Sequence, residues 1–308
     1  MDLINIKGNT FYIKGGTNTG IYLFEDYTAV MIDPGLSGVR PKRIMKILAN
    51  NNINLKFIVN THEHDDHYGS CNQFKLENKD IKILSSKYAK VYIDNPELFS
   101  KYIVGGRTNN FFNKGLKNES LDKLKVDDTL DEGKIILNRE IFEVIEFKGH
   151  TPGSIGIMTK DKILFIGDLL VSKDMLNKYD FLFVFDIEEY LKSLKKIRNI
   201  GFEYIVLGHG KNIISKEDSE ELIEMHEKAI NKYLSQIRIE LNEPMGLEQL
   251  LKNIIVKNNL SYNYKEFYFY KSSLMSAISY LCDLDEIQYI LKDGELLYYI
   301  QKNQIMIK

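Results

Sequence analysis

The first half of the chain alternates short apolar runs with Gly, Asn and Asp, a pattern typical of β-strands joined by turns. Residues 20–25 and 29–33 predict two strands of a meander, which ends at Gly35. Apolar residues at helical spacing then predict a helix over residues 41–49, and residues 57–59 predict a short buried strand. This order of strand, helix and strand indicates a layered α/β fold.

The same signals recur later in the chain. Apolar runs predict strands at residues 81–84, 141–147, 154–158, 163–166 and 204–207, and a periodic segment predicts a helix at residues 188–198. Residues 94–131 show no regular pattern and are predicted to be a long irregular stretch. The predicted body is a mixed α/β domain over residues 1–214.

The pattern changes beyond residue 210. Residues 216–239 predict one long polar helix. Two further helices are predicted at residues 247–258 and 272–281, followed by a hairpin around an Asp-Gly turn. Because helix, helix and hairpin is the order of a winged helix, we expect residues 215–308 to form a linker helix and a small C-terminal winged-helix-like domain.

Composition narrows the classes of function. The 308 residues carry 41 Lys and Arg against 43 Asp and Glu, a formal net charge of -2, which lacks the basic excess of a protein that binds nucleic acid along its length. Hydrophobic residues make up 44% of the chain, enough for a sizeable core. The N-terminal residues lack the features of a signal peptide, and no apolar run reaches the roughly 18 residues of a membrane helix. We therefore expect a soluble cytoplasmic protein without a membrane partner.

The candidate chemistry lies with the histidines. The two cysteines are too far apart for a metal knuckle, which leaves six histidines as candidate soft ligands. His62, His64 and His67 fall with Asp66 into one heptapeptide, directly after a predicted strand. On such a loop two histidines can face one metal while Asp66 and His67 turn to another, and zinc favours imidazole nitrogen with carboxylate oxygen. A solvated polar loop is the alternative, but burying these groups without a metal would be costly.

This heptapeptide resembles the signature of the metallo-β-lactamase superfamily, His-x-His-x-Asp-His, at every position. Three further motifs of that family follow in its order, each at the end of a predicted strand: residues 149–154 with His150, residues 167–168 with Asp168, and residues 208–210 with His209. The resemblance covers about residues 1–214. It implies a four-layer αββα sandwich for that part of the chain.

The resemblance also implies a set of metal ligands. One metal would take His62, His64 and His150, a second would take Asp66, His67 and His209, and Asp168 would bridge the pair. We expect two divalent ions, zinc before iron or manganese. A metal can lower the pKa of bound water to about 7, which makes a hydroxide nucleophile available, and Asp66 would orient it and accept its proton. Asp66 and Asp168 are therefore the expected catalytic residues.

Three other residues carry expectations of their own. Asp33 occupies the position of the family's first-motif aspartate, and it is expected either to orient the ligand loop or to be a simple turn residue before Pro34. Cys71 is expected to pack rather than react. His226, on the long predicted helix, is expected to be a solvated or interfacial residue rather than a ligand.

The family's motifs do not separate its substrates. Glyoxalase II-like thioesterases share the ligand set, and the C-terminal part resembles the winged-helix domain of some members, including an animal endoribonuclease that acts on single strands. Yet residues 240–308 hold nine acidic residues against seven lysines, which favours packing or homodimerisation over nucleic-acid binding. We expect hydrolysis of a small ester or thioester. The alternatives are cleavage of single-stranded RNA or another phosphodiester, a mononuclear-iron persulfide dioxygenase, and a non-catalytic binding protein.

Candidate substrate-binding residues come from two aromatic stretches and two basic side chains. Residues 179–185, which include Tyr179 and Phe181, follow Asp168 closely, and residues 111–112 lie in the long irregular stretch. An apolar cleft wall built from them would suit an acyl or aromatic substrate, and core or dimer packing is the alternative. Arg107 and Lys173 are the nearest candidates to bind an anionic group.

Overall fold

The computed structural model describes residues 1–116, 124–210 and 213–301. Its first sheet has seven strands in chain order: β1 (Leu3–Lys7), β2 (Thr10–Ile13), β3 (Thr19–Leu23), β4 (Thr28–Ile32), β5 (Asn54–Val59), β6 (Lys82–Ser86) and β7 (Asp128–Leu130). Strands β1 to β4 pair antiparallel, and β4 to β7 pair parallel. The pairing changes after β4 because the helix α1 (Val39–Asn50) carries the chain back to the start of β5.

The second sheet has six strands, in the spatial order β13-β12-β11-β10-β9-β8. These are β8 (Gly133–Leu137), β9 (Glu140–Glu146), β10 (Ile155–Met158), β11 (Ile163–Phe165), β12 (Tyr204–Val206) and β13 (Ile213–Ser215). Their pairing is antiparallel except between β11 and β12, which are parallel. The helix α8 (Ile187–Arg198) lies in that parallel crossover.

Strand β4 shows how the layers are specified. Ala29 and Met31 join the apolar core under α1, whereas Val30 and Ile32 join the core between the two sheets, where Phe142 of the second sheet meets them. This alternation is the period of two expected of a strand, and the burial of both faces explains its continuous apolar sequence. Helices cover the outer face of each sheet, so the predicted αββα sandwich is confirmed.

The helices belong to two outer layers and to additions at the edge of the sandwich. In chain order after α1 they are α2 (Asp65–Tyr68), α3 (Cys71–Glu77), α4 (Lys87–Asp94), α5 (Glu97–Val104), α6 (Asn110–Leu116), α7 (Lys173–Lys178), then α8, α9 (Lys216–Glu240), α10 (Leu247–Lys257) and α11 (Tyr264–Asp283). The third sheet has the order β14 (Met245–Gly246), β16 (Glu295–Ile300) and β15 (Ile287–Lys292). Within the described ranges, no helix is both long and apolar enough to cross a membrane.

The C-terminal elements share their core with the second sheet. One apolar cluster runs from Leu164 of β11 through Leu194 of α8 and Leu222 of α9 to Leu250 of α10 and Leu274 of α11. The order of helix, helix and hairpin is present, and β15 pairs with β16 around the predicted Asp-Gly turn. The winged-helix assignment and the domain boundary at residue 214 remain predictions.

Two expectations about secondary structure were wrong. Residues 94–131, expected to be irregular, include the helices α5 and α6 and the strand β7, and α11 begins at Tyr264 instead of residue 272. The helices α5 and α6 are short, and their apolar faces pack on α11 through Phe99, Ile103 and Phe112. Such helices depend on tertiary packing, which local periodicity does not report. Residues 117–123 and the C-terminal Lys302 and Lys308, counted above, lie outside the described residues.

Candidate metal centre

The signature heptapeptide occupies the loop that leaves β5. Its second half is the short helix α2, in which the amide of His67 donates to the carbonyl oxygen of His64 at 2.9 Å and turns the chain back. The amide of Ile155 at the start of β10 donates to the carbonyl oxygen of Thr61 at 2.8 Å. This bond ties the loop to the second sheet, so the heptapeptide lies at the edge where both sheets meet.

The other three motifs reach the same edge. His150 precedes β10, Asp168 follows β11, and His209 follows β12. Together they form what we call the metal cluster: His62, His64, Asp66, His67, His150, Asp168 and His209. It divides into two groups whose ligand atoms lie within 4.8 Å of one another, the first with His62, His64, His150 and Asp168, the second with Asp66, His67 and His209. The structure therefore brings together every residue that the sequence proposed as a ligand.

The carboxylate of Asp168 faces both groups. Its Oδ1 lies 3.3 Å from His67 Nε2, and its Oδ2 lies 3.3 Å from His209 Nε2 and 3.7 Å from His150 Nε2. This is the position that a carboxylate shared between two cations would take.

Some buried atoms of the metal cluster lack a hydrogen-bond partner and are of the kinds that bind a metal cation. The buried atoms His62 Nε2 and Asp168 Oδ1 have no hydrogen-bond partner among the described residues, although Asp168 Oδ1 is within ion-pair distance of His67. His64 faces the cluster through its Nδ1, which lies 3.1 Å from His150 Nε2. Buried polar atoms without partners are rare and destabilising in folded proteins. Imidazole nitrogens and carboxylate oxygens are the donors that zinc prefers. The residues present therefore fit divalent metal ions.

The second nitrogen of three histidines is already held by an acceptor. His67 Nδ1 lies 2.8 Å from Asp33 Oδ2, His150 Nδ1 lies 3.1 Å from the carbonyl oxygen of Phe183, and His209 Nδ1 lies 2.6 Å from that of Gly16. A hydrogen bond from Nδ1 fixes the ring and leaves Nε2 free to bind a metal. In each of these rings Nε2 is the atom that points into the cluster.

Asp33 connects the ligand loop to the end of β4. Its Oδ1 accepts from the amide of Thr61 at 2.7 Å, and its Oδ2 accepts from Thr61 Oγ1 at 2.6 Å as well as from His67. The residue has a left-handed φ of 51°, a conformation that aspartate adopts more readily than most residues other than glycine. These contacts favour the orienting role over that of a simple turn residue.

The two groups differ in their proton affinity. Burial lowers the pKa of His62, His64 (to about 3) and His150, so these rings are neutral and can donate a lone pair. Burial also lowers the pKa of His67 and His209, but Asp168 and the other carboxylates outweigh it and raise the values to about 10 and about 12. The second group therefore retains positive charge beside Asp66 and Asp168. A cation bound there would replace those protons.

Two glycines allow the loops to approach. A side chain at Gly208 would place its Cβ 2.3 Å from Asp168 Oδ1, and one at Gly167 would lie 2.6 Å from Thr61 Oγ1. Any larger residue would push the ligand loops apart.

Two supporting residues were missed by sequence reasoning. Glu63, between two ligands, is buried and accepts from Thr151 Oγ1 at 2.8 Å, and burial raises its pKa to about 7. Arg40 of α1 donates from Nη2 to the carbonyl oxygen of Thr17 at 2.7 Å and to Thr19 Oγ1 at 2.8 Å. An arginine on an otherwise amphipathic helix gave no signal, because its partners, a backbone carbonyl and a threonine hydroxyl, lie more than twenty residues away in the chain.

The loop that Arg40 holds contacts the second group directly. Thr17 Oγ1 donates to the carbonyl oxygen of Asp66 at 2.5 Å, and the neighbouring Gly16 accepts from His209. Asn18 Nδ2 donates to the carbonyl oxygens of Leu207 and Gly210, both at 3.0 Å, on either side of that histidine. The N-terminal loop thus positions two of the three residues of the second group.

The metal cluster opens into a cleft of about 330 Å³. Besides the cluster residues His64, Asp66, His150 and Asp168, its lining comprises Leu36, Asp65, Phe99, Phe183, Lys265 and Phe269. Two of the aromatic side chains come from α5 and α11, far apart in sequence. The cleft is therefore largely aromatic, with acidic groups at the metal end and one lysine.

The structure places the four substrate-binding candidates outside this lining. Lys173 pairs with Glu221 at 2.5 Å beside a separate cavity, and Arg107 is exposed between α5 and α6. Phe181 packs in the core, and Tyr179 is 40% exposed at the end of α7. Within the aromatic segment 179–185, the side chain that faces the cleft is that of Phe183.

Four other side chains discussed above lie outside the metal cluster and the cleft. Phe112 is buried against α11, whereas Phe111 is 80% exposed. Cys71 is buried, with its Sγ 3.3 Å from Asn60 Oδ1. His226 is fully buried, not solvated: its Nε2 accepts from the amide of Val171 at 3.0 Å and its Nδ1 donates to the carbonyl oxygen of Leu222 at 2.8 Å. Both ring nitrogens of His226 are thus in use, away from the metal cluster.

Comparison with known proteins agrees with this geometry. The family model of the metallo-beta-lactamase superfamily matches residues 14–209. The chain is 29% identical to hydroxyacylglutathione hydrolase 1 of Vibrio vulnificus over 266 residues, which cover 80% of this chain and 87% of that protein. It is 28% identical over 200 residues to a hydroxyacylglutathione hydrolase of Haemophilus influenzae, which cover 63% of this chain and 85% of that protein.

The fold is also similar to solved structures. A beta-lactamase domain protein from Burkholderia ambifaria superposes with a TM-score of 0.76 at 14% identity, over 97% of this chain and 94% of that one. The match thus extends through the C-terminal helices and hairpin. The chain belongs to the metallo-beta-lactamase superfamily, and its fold and relatives are those of a metal-dependent hydrolase.

Proposed function

We propose that this chain hydrolyses a small thioester or ester at the metal cluster. The observation that carries the proposal is the cleft: a space of about 330 Å³, lined by Phe99, Phe183 and Phe269, opens directly onto the two ligand groups. Its volume is at the lower end of the range for small-molecule sites. Aromatic walls suit an acyl group, and the open side of the cluster leaves room for its carbonyl.

Each residue of the metal cluster has a place in this proposal. His62, His64 and His150 would hold one divalent ion, Asp66, His67 and His209 a second, and Asp168 would contact both. Two such ions, for which zinc suits the donor atoms, would supply an activated water and polarise the substrate carbonyl.

Asp66 is the residue placed to move a proton. Its Oδ2 lies 3.0 Å from His209 Nε2, and its side chain is 35% exposed towards the cleft. Burial raises the pKa of Asp66, but the hydrogen bond and charge of His209 outweigh burial and lower the pKa below its usual range. Asp66 is therefore a carboxylate at neutral pH, and its Oδ1 can accept the proton of the attacking water.

The charges of the cleft disfavour a nucleic acid. Its charged lining consists of Asp65, Asp66 and Asp168 at the metal end and Lys265 at the rim. A single-stranded nucleic acid carries a phosphate on every unit and is usually bound by several cationic and stacking groups in a groove. The relatives are named for hydroxyacylglutathione, itself a thioester, which supports thioester hydrolysis in preference to phosphodiester hydrolysis.

A substrate panel on protein of known metal content tests the proposal. Thioester, ester, lactone, phosphodiester and single-stranded RNA substrates are compared on the full chain. We expect thioester or ester turnover to dominate, and Asp168→Asn to lower kcat/KM by on the order of 10³-fold, because one carboxylate faces both ligand groups. Asp174→Asn, on the exposed surface of α7, is the matched control.

Two results would contradict the proposal. RNA or phosphodiester cleavage that exceeds ester turnover and is lost in Asp168→Asn would assign the site to nucleic acids. One iron per chain, with oxygen-dependent consumption of a persulfide, would assign it to sulfur oxidation.

A further inference from the structure

The helix α11 reaches from the C-terminal core to the rim of the cleft. Lys265 and Phe269 line the cleft and lie four residues apart, on one face of the helix. Asn263 caps the helix, because its Oδ1 accepts from the amides of Lys265 at 2.9 Å and of Glu266 at 3.1 Å. The first turn, which carries the lysine, is therefore held in place.

Two hydrogen bonds hold α11 in register beside the segment that contacts the candidate ligand His150. Ser273 Oγ accepts from the amide of Val184 at 3.0 Å, and Ser276 Oγ accepts from the amide of Ile187 at 2.9 Å. Between these contacts and the metal cluster lies Phe183, whose carbonyl oxygen faces His150 Nδ1. The helix, the aromatic wall and the ligand loop thus form one connected unit.

The rings of the cleft form a continuous series away from the metal cluster. Phe99 lies 5.0 Å from the ring of His64, and Phe183 lies 5.7 Å from that of His150. Phe269 follows, at 6.2 Å from Phe99 and 5.1 Å from Phe183. Lys265 Nζ is 5.5 Å from the centre of the Phe269 ring. The order from the centre outwards is therefore ligands, two phenylalanines, a third phenylalanine, and a cation.

Lys265 differs from Lys271 on the same helix and from Lys173 beside the separate cavity. Lys271, on the same helix, pairs with Glu248 at 2.5 Å, and Lys173 pairs with Glu221. Within residues 1–116, 124–210 and 213–301, no carboxylate lies within 4.0 Å of Lys265 Nζ. A partly buried ammonium beside an aromatic wall, without a carboxylate, is suited to bind an anion from a ligand.

We propose that the cleft selects a substrate with one anionic group separated from the reacting carbonyl by an apolar segment. Lys265 binds the anion, and the three phenylalanines contact the segment. The inference rests on the proposed function and specifies its substrate class. Either a carboxylate or a phosphate could bind Lys265, so the shared requirement is one anionic group at the Lys265 end of the cleft.

Pairs of thioesters that differ only in this charge test the inference. The first pair places a terminal carboxylate, or a methyl group of similar size, on the acyl half, and the second pair places it on the thiol half. A third pair replaces the carboxylate with a phosphate. We expect the parent chain to prefer the anionic member of at least one pair through a lower KM.

Lys265→Met removes the charge and keeps the length of the side chain. We expect KM for the preferred anionic substrate to rise about tenfold relative to KM for its neutral partner, which corresponds to the loss of one charge-assisted hydrogen bond. Lys265→Arg should retain the preference. Lys271→Met, on the same helix but outside the cleft, is the matched control.

The outcomes separate this inference from the proposed function. If the parent chain hydrolyses neutral and anionic thioesters equally, and Lys265→Met changes neither, the inference is wrong and the proposed function stands. If the parent chain hydrolyses none of them, both fail. Metal content and melting temperature are measured for each variant, because equal values show that a KM change arises from substrate binding.

Discussion

The metal cluster and the wall of the cleft are built in different ways. The ligands follow strands of the two sheets, and three histidines have their second nitrogen held by Asp33 or by a backbone carbonyl. Phe99 and Phe269 come from added helices and contact their neighbours mainly by ring packing. The sandwich therefore holds the candidate ligands by hydrogen bonds, whereas the added helices supply the aromatic wall of the cleft.

Because the two regions are built differently, we expect substitutions in the metal cluster and in the wall of the cleft to change different measured quantities. A change behind the metal cluster should alter metal affinity, because each supporting atom orients a ligand. A change in the wall, such as Lys265→Met, should alter KM for particular substrates and leave metal content as in the parent chain. Three substitutions outside the wall of the cleft follow, at Asp33, His226 and Arg40. The contrast between the metal cluster and the wall would be weakened if Asp33 or Arg40 could be replaced without a change in metal affinity.

Asp33→Asn is expected to have the largest effect of the three. The amide would turn a donor towards Thr61 or His67, both of which donate to this side chain. We expect metal affinity to fall by about 10- to 100-fold, the range usual for partners of ligating histidines. Competition with a chromophoric chelator measures it, and Asp174→Asn provides the control. Unchanged affinity would leave Asp33 as a simple turn residue.

His226 should make stability depend on pH through its burial. Burial lowers its pKa in the folded chain to about 4, against about 6.5 for an unfolded histidine. The unfolded state therefore binds an extra proton as pH falls below about 6.5, and this contribution to stability is lost progressively down to about pH 4. At pH 5 the loss is about 2 kcal/mol relative to neutral pH.

Urea unfolding of metal-free protein at neutral pH and at pH 5 measures this contribution. The parent chain should lose about 2 kcal/mol more than His226→Gln between the two conditions. The comparison with the variant removes the contribution of the histidines in the metal cluster. Equal losses would show that burial of His226 does not control the acid sensitivity.

Arg40→Met is expected to have the smallest effect, confined to the second group. The variant loses the hydrogen bonds that hold the loop of Thr17 and Gly16 against Asp66 and His209. We expect about tenfold weaker binding of one of two metal ions, the equivalent of one hydrogen bond to a charged group. Titration of metal stoichiometry measures it, with Arg43→Met on the exposed face of α1 as control. Equal weakening of both ions would show that the loop does not act on the second group selectively.

Features that depend on residues close together in the chain could be predicted from the sequence, whereas features that depend on distant contacts could not. The heptapeptide from Thr61 to His67 is local, and the other residues of the metal cluster carry their own short motifs, so the candidate ligands could be named before any contact was known. The sandwich was also readable, because strands such as β4 alternate between two cores. The helices α5 and α6 were missed because they are short and depend on packing against α11.

The sequence by itself determined the kinds of ligand, their order along the chain and the layering of the sheets. These features depend on residue type and on the periodicity of strands and helices, which adjacent residues record. Only the tertiary structure decided that Phe183 faces the cleft while Phe181 packs in the core, and that Arg40 supports His209 through a loop. Those arrangements depend on which segments meet in space. Every residue has a backbone carbonyl, so the sequence does not show which carbonyls accept a side-chain hydrogen bond.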